Sequence, residues 1–408
     1  MKKSDLKKYA KTIVKMGANI KPGQDAIIVS SVNNVELVRL IVEEAYKAKA
    51  RKVIVEWNDD AITKMNYTYQ SLETLSEYPK YAEEKLKYRS ETLPAMIYIK
   101  SSDPDAMKGV DQDKIRQARM AQYPITKPYS DAMDNKYQWT IVAAASLEWA
   151  QKVFPNEKPK IAVKKLWDAI LKSARMDGKN PIQDWKKHNE DLAKRCEYLN
   201  NLDIDFLQYN SSNGTDLKLK IMPGTLFMGG GETTLKGRYF NPNMPTEECF
   251  GIPDKNGVDG IVYSSKPLSY NGELIEDFNL RFEKGKVVEV HAKKGEELLK
   301  QMVSMDEGAS RLGEVALVPY DSPISQSKIL FYNTLFDENA SCHLALGRAF
   351  SNNIKGYEKM SLEEIEKFGI NDSMIHVDFM IGTKDLQIVA TTRDHKQVVI
   401  FKDGNWAF

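Results

Sequence analysis

Four short segments hold the residues best suited to chemistry. In Met374–Ile381, a run of strand character, His376 and Asp378 stand two positions apart and so project from one face. An imidazole and a carboxylate on one face are a usable pair of ligands for Zn2+, Co2+ or Mn2+. In Leu312–Val318, Glu314 is an acid within an otherwise apolar strand. Burying a lone carboxylate is expensive unless it is paired or metal-bound. In Asp337–Arg348, the residues after Asn339 are compatible with a helix that Asp337 or Asn339 would cap, clustering Glu338 and His343 at its start. Glu247-Glu248 follow Asn243-Met244-Pro245-Thr246 on an extended segment, where adjacent side chains point opposite ways, so at most one enters a shared site. Taken singly, each segment also has an ordinary structural reading, as a polar strand face, a helix cap or a capping box.

Other reactive residue types fit less well. His188 lies in a charged helical stretch, His395 in the turn Arg393–Lys396, and His291 after the strand-like Val287–Val290. Gly229-Gly230-Gly231 lacks the spacing and the Lys-Ser/Thr of a phosphate-binding loop, so a turn or a close backbone approach is expected there. Cys249 and Cys342 neighbour candidate ligands, yet no C-x-x-C and no G-x-S-x-G occurs; they read as small core residues.

The elements that must position these residues divide the chain in two. In the first half, the apolar runs Asp25–Val29, Lys52–Trp57, Ala95–Lys100 and Trp139–Ala144 alternate with helical patterns such as Val35–Ala50, for which Asn34 is the expected N-cap. Strands separated by helices imply crossovers and a mainly parallel sheet covered on both faces. Two helices, Ile161–Ala174 and Ile182–Leu199, lead to the second half. There, turn pairs Asn213-Gly214 and Asn271-Gly272, and the run Glu283–Lys286, punctuate alternating strands at Asp216–Ile221, Asp277–Glu283 and Val287–His291. That is hairpin chemistry. The expected architecture is an α/β domain over 1–200, including connecting helices at 160–200, and an α+β domain with mixed or antiparallel sheet over 201–408 that carries the metal site.

Composition excludes several classes. Across 408 residues, 58 Lys+Arg balance 57 Asp+Glu, which argues against a general nucleic-acid binder. No apolar run approaches the ~18 residues of a membrane span, and the basic N-terminus has no apolar region behind it. Three cysteines fit a reducing compartment, so a cytoplasmic protein is expected. With only five histidines, any metal site must be mostly carboxylate.

Taken together and in order, Asn243–Phe250 (NMPTEECF), Ser310–Pro319 (SRLGEVALVP), Phe336–Ala349 (FDENASCHLALGRA) and Ile375–Phe379 (IHVDF) resemble the M29 metallopeptidase family, over nearly the whole chain. The resemblance implies a two-domain exopeptidase that uses two divalent ions (Zn2+, Co2+, Mn2+ or Mg2+) to release N-terminal residues from peptides. It also implies a homodimer. The family's ligands map onto Glu248, Glu314, His343, His376 and Asp378, with Glu338 at a further acidic position; Glu314 is the expected bridging carboxylate. One position departs: where the family has an Ala-Tyr with its tyrosine at the metal site, this chain has Ala349-Phe350. A phenyl ring cannot donate a hydrogen bond to a developing oxyanion, and losing one such donor costs about 10²–10³ in rate. Competing expectations are a weakened or inactive metal-containing peptide-binding homologue, and another dinuclear hydrolase such as a phosphoesterase.

Overall fold

The computed structural model describes residues 2–408. Two compact units form: one takes in the chain up to His188 together with Gly231–Pro245, the other Asn189–Gly230 and Thr246–Phe408. The division falls inside the helix Pro181–Asn201, and the return of Gly231–Pro245 to the first unit is marked by no shift in composition.

The first unit is built on β1 (Asp25–Ser31), β2 (Lys52–Asn58), β3 (Ala95–Lys100) and β4 (Trp139–Ala143), all parallel in the order β2-β1-β3-β4. Their apolar runs match the expected strands because helices shield the central pair; β1 is buried along nearly its whole length. The helix over Val35–Lys47 follows β1 as its pattern predicts. Asn34 occupies its N-cap position but makes no capping bond. Its amide donates to Ser30 Oγ at 3.1 Å and Ser101 Oγ at 2.7 Å, so the side chain is oriented by the strand ends rather than by the helix.

The second unit begins with β5 (Ile204–Asn210) and β6 (Asp216–Ile221); β7 (Glu232–Thr233) and β8 (Tyr239–Phe240) are a short hairpin of the first unit. Then follow β9 (Cys249–Gly251), β10 (Pro253–Tyr263), β11 (Leu268–Tyr270), β12 (Glu273–Glu283) and β13 (Lys286–Lys294). After these come β14 (Leu312–Leu317), β15 (His343–Gly347), β16 (His376–Met380), β17 (Gln387–Thr392), β18 (Gln397–Lys402) and β19 (Asn405–Trp406). The turn residues behave as their chemistry demands. Asn271 and Gly272 (φ 50° and 82°) join β11 to β12, and Lys284 and Gly285 (φ 48° and 80°) join β12 to β13.

Two antiparallel sheets result. Nine strands form the larger, along the path β11-β12-β10-β6-β5-β17-β18-β19 with β13 on β12; the smaller runs β16-β15-β14-β9. One face of the small sheet, with Val315, Leu317, Leu344, Leu346 and Phe379, shares a continuous core with Leu207, Leu219, Val262, Phe278 and Ile388 of the large one. Phe278 and Phe379 meet at 5.8 Å between ring centroids. The opposite face of the small sheet is therefore the one left for polar residues.

Candidate metal centre

Register decides which residues share that second face. Glu314, Ala345 and Asp378 lie opposite one another across β14, β15 and β16; Ala316, His343 and Met380 form the next rank, and His376 faces Gly347. Opposed residues project to the same side. Two strand pairs thus bring Glu314, His343, His376 and Asp378 together, with only Ala345 and Gly347 between them on β15.

Glu314 reaches this face through a β-bulge. Leu312 pairs with Leu346 and Glu314 with Ala345, so Gly313 is the extra residue between them. Without the bulge, Leu312 and Glu314 would point the same way; with it, Leu312 stays in the core while Glu314 turns to the site. Gly313 is required there. A Cβ would press on the Gly347 carbonyl oxygen and stand 2.5 Å from the Arg348 carbonyl group.

His343 lies on a strand, which corrects the expected helix over this stretch. Glu338 is in a single 3₁₀ turn, Glu338–Ala340, and Ser341 is already extended at φ −165°. The helix-compatible Leu-Ala-Leu run is hydrogen-bonded on both edges, to β14 and β16, and fully buried, so tertiary pairing overrides local propensity. Glu248 enters from the residue before β9. Gly229 passes directly against its carbonyl oxygen, the close backbone approach expected of the glycine run.

The donor atoms form two groups of three: Glu248, Glu314 and His343; and Glu314, His376 and Asp378. His343 Nε2 is 3.0 Å from Glu248 Oε2 and 3.5 Å from Glu314 Oε1, while His376 Nε2 is 3.2 Å from Asp378 Oδ1 and 3.7 Å from Glu314 Oε2. The two oxygens of Glu314 therefore serve different groups. Both imidazoles are oriented from behind by backbone: His343 Nδ1 lies 3.2 Å from the Ser341 carbonyl oxygen, and His376 Nδ1 lies 2.7 Å from that of Arg348. A proton on each Nδ1 leaves Nε2 as the donor facing the carboxylates.

Charge explains what the cluster is built to receive. Burial alone would lower His343, but the hydrogen bonds its imidazole donates to Glu248 and Glu314 overcome it and hold it well above its usual value. For His376, burial is again outweighed, by Asp378 and Glu314, and it is pushed up to about 9. Burial raises Glu314, and raises Glu338 strongly with help from Asp378 and Glu248, whereas Asp378 is lowered, its burial offset by His376. Four carboxylates face two imidazoles in a nearly dry place. Such a set is short of positive charge, and a divalent cation supplies it; imidazole plus carboxylate is also the donor chemistry that Zn2+, Co2+ and Mn2+ accept. The residues fit a metal.

Glu338 joins neither group of three. It is buried at their side, its Oε1 3.3 Å from the amide of Asn339. Asn339 is a residue that sequence reasoning saw only as a cap. Fully buried, it accepts from the Glu247 backbone N–H at 2.6 Å and donates to the Leu335 carbonyl at 2.9 Å, tying the Glu248 segment to the Glu338 turn. A polar residue beside two candidate acids was the available signal. Phe350 lies at the site, its ring centroid 4.7 Å from that of His376. The remaining histidines are elsewhere: His188 beside Arg175, His291 on β13, and His395 in the turn between β17 and β18. Cys249 and Cys342 are buried thiols with pKa values raised by burial, as small core residues would be.

Comparison with known proteins identifies the family. The family described as thermophilic metalloprotease (M29) matches residues 2–406. Aminopeptidase AmpS of Bacillus subtilis is 45% identical over 99% of this chain and 98% of its own length. Aminopeptidase T of Thermus thermophilus is 37% identical over 99% and 98%. The solved structure of wild-type AmpT from Thermus thermophilus superposes with a TM-score of 0.90 at 36% identity, covering all of both chains. With a carboxylate-rich candidate metal site on a fold shared along its whole length, this chain belongs to the M29 family of metalloproteases.

Proposed function

We propose that this protein is an aminopeptidase with a dinuclear metal centre. The observation that carries the reading is Glu314, whose two oxygens face two separate sets of ligands. Glu248, His343 and Glu314 would hold one ion; His376, Asp378 and Glu314 the other. When bound, the ions polarise the scissile carbonyl and acidify a water molecule. The protein's own share is positioning and proton handling. The Ser341 and Arg348 carbonyls keep Nε2 of both histidines turned inward. Glu338, whose carboxyl pKa is raised by burial and by Asp378 and Glu248 and which is committed to neither ligand set, carries a proton at its carboxylate between the water and the leaving amine. Exopeptidase specificity follows if the substrate's α-amine binds one of the ions or an acid beside the site. That the relatives are named aminopeptidases supports the same reading. Three buried free thiols suit a reducing cytoplasm, and the family resemblance suggests a homodimer.

Metal analysis with a chromogenic aminoacyl-anilide assay tests the proposal. The wild-type protein is expected to bind two ions and lose turnover to a chelator. Glu314→Gln should lose both ions and activity together; a fully active Glu314→Gln protein would sink the assignment.

A further inference from the structure

The ligand side chains do not face solvent equally. His343, Glu314 and Glu248 are 1%, 6% and 9% exposed, against 12% for Asp378 and 22% for His376. The cluster opens on its His376 side. Phe350 stands at that opening, 38% exposed, its ring tilted 46° over the His376 imidazole and edge-on to Phe250 at 6.3 Å. This is an unusual place for an apolar surface, because it borders the His376 end of a carboxylate-rich cluster. It is also a fixed one. The Ala349 N–H is bonded to the Asn371 carbonyl, the Asn353 N–H to that of Phe350, and Phe250 exchanges both backbone hydrogen bonds with Met228.

We propose that Phe350, backed by Phe250, is a specificity-determining wall that receives an apolar side chain of the peptide beside the scissile bond. The proposal rests on the aminopeptidase reading above. A substrate that reaches His376 from its exposed side comes beside the ring. A phenyl group offers neither a hydrogen bond nor a charge, so what it contributes is area. An apolar side chain laid on it removes water from both surfaces, whereas a charged side chain would be desolvated without a partner. Because the backbone on either side of Phe350 is already bonded, little ordering is needed on binding. The side chain concerned belongs either to the N-terminal residue or to the one after the scissile bond, and both present the same chemistry to the ring.

Two peptide series separate these cases: X-Ala-Gly and Ala-X-Gly, with X as Leu, Phe, Ala, Lys or Glu. They are assayed with metal-loaded wild type, Phe350→Ala and Phe350→Tyr. Calorimetric binding of reduced-amide analogues of the Leu and Glu members supplies a readout independent of turnover. The wild type should prefer Leu to Glu tenfold or more in at least one series, the scale of discrimination an apolar contact provides. Phe350→Ala should lower that preference about tenfold, in kcat/KM and in analogue affinity, while Phe350→Tyr, which keeps the ring, should retain it. The responding series identifies the substrate position. Unchanged preference in both series with Phe350→Ala would overturn the wall and leave the peptidase reading intact. Absence of turnover, with an analogue preference that Phe350→Ala abolishes, would overturn the peptidase reading and support the wall. If Phe350→Ala alters metal content, Phe350→Leu repeats both measurements, and an unaltered preference there counts against the proposal.

Discussion

Gly313→Ala probes how the fold aims its central carboxylate. The added methyl would collide with the Gly347 carbonyl oxygen and lie 2.5 Å from the Arg348 carbonyl carbon and oxygen, all backbone atoms where β15 ends. No flexible side chain can yield, so β14 and β15 must part or the bulge must straighten. Overpacking of this kind costs about 1–3 kcal/mol. In a unit of about 200 residues, each kcal/mol corresponds to roughly 2–4 °C, so a loss of about 4–8 °C in Tm is expected for a cost near 2 kcal/mol. The effect on the site should exceed the effect on stability. A straightened strand turns Glu314 toward the core, and displacement of Arg348 removes the carbonyl that holds His376 Nδ1 at 2.7 Å. Disturbing such a supporting contact lowers metal affinity about 10–100-fold. Differential scanning calorimetry and a Zn2+ titration measure the two effects. A Tm within about 1 °C of wild type, less than the roughly 2 °C that even 1 kcal/mol would cause, together with an unchanged titration would refute the argument that the bulge places Glu314.

Two further outcomes are expected. Asn339→Ala leaves the buried Glu247 N–H without its acceptor, which costs about 1–3 kcal/mol, and it unties the Glu248 segment from the Glu338 turn. Denaturant unfolding should show that loss, and equilibrium dialysis should show weaker metal binding; full metal affinity would mean that Asn339 serves stability alone. The cation-free protein should lose stability as pH rises. His376 moves from 6.5 to about 9 on folding, so its contribution is complete below pH 6.5 and disappears as pH climbs through 9. His343, also raised, acts in the same direction. Metal binding, which displaces these protons, should strengthen across the same window. Titrations at pH 7 in two buffers of different ionisation enthalpy would reveal the released protons, and identical heats would contradict the raised imidazoles.

Much of the site was legible because strand periodicity is simple. His376 and Asp378 had to share a face once Met374–Ile381 was a strand, and Glu314 stood out as an acid in an apolar run. His343 was placed on the wrong element. Leu344, Ala345 and Leu346 favour a helix when read locally, and nothing in the segment announces that β14 and β16 will bond both of its edges. The Gly313 bulge was equally invisible. By simple alternation Leu312 and Glu314 belong to one face, and only the register against Leu346 and Ala345 separates them. Asn339 was visible as a residue but not as a link, since its partners at Leu335 and Glu247 lie at very different distances along the chain.

By itself, then, the sequence determined the elements and the chemistry on offer. Helical and alternating apolar patterns specify which segments can bury a stripe or a face, Asn-Gly and Lys-Gly pairs specify tight hairpins, and five histidines among many acids require a carboxylate-rich site. Those properties are local, set by side-chain type and spacing. Tertiary structure decided which acids come together. Strand pairing across β9, β14, β15 and β16 selected Glu248, Glu314, His343, His376 and Asp378 and shared Glu314 between two groups. It also set a bare phenyl ring at the opening. Register and burial are properties of contacts between distant segments, and they convert ordinary carboxylates into a cluster whose missing positive charge a metal would supply.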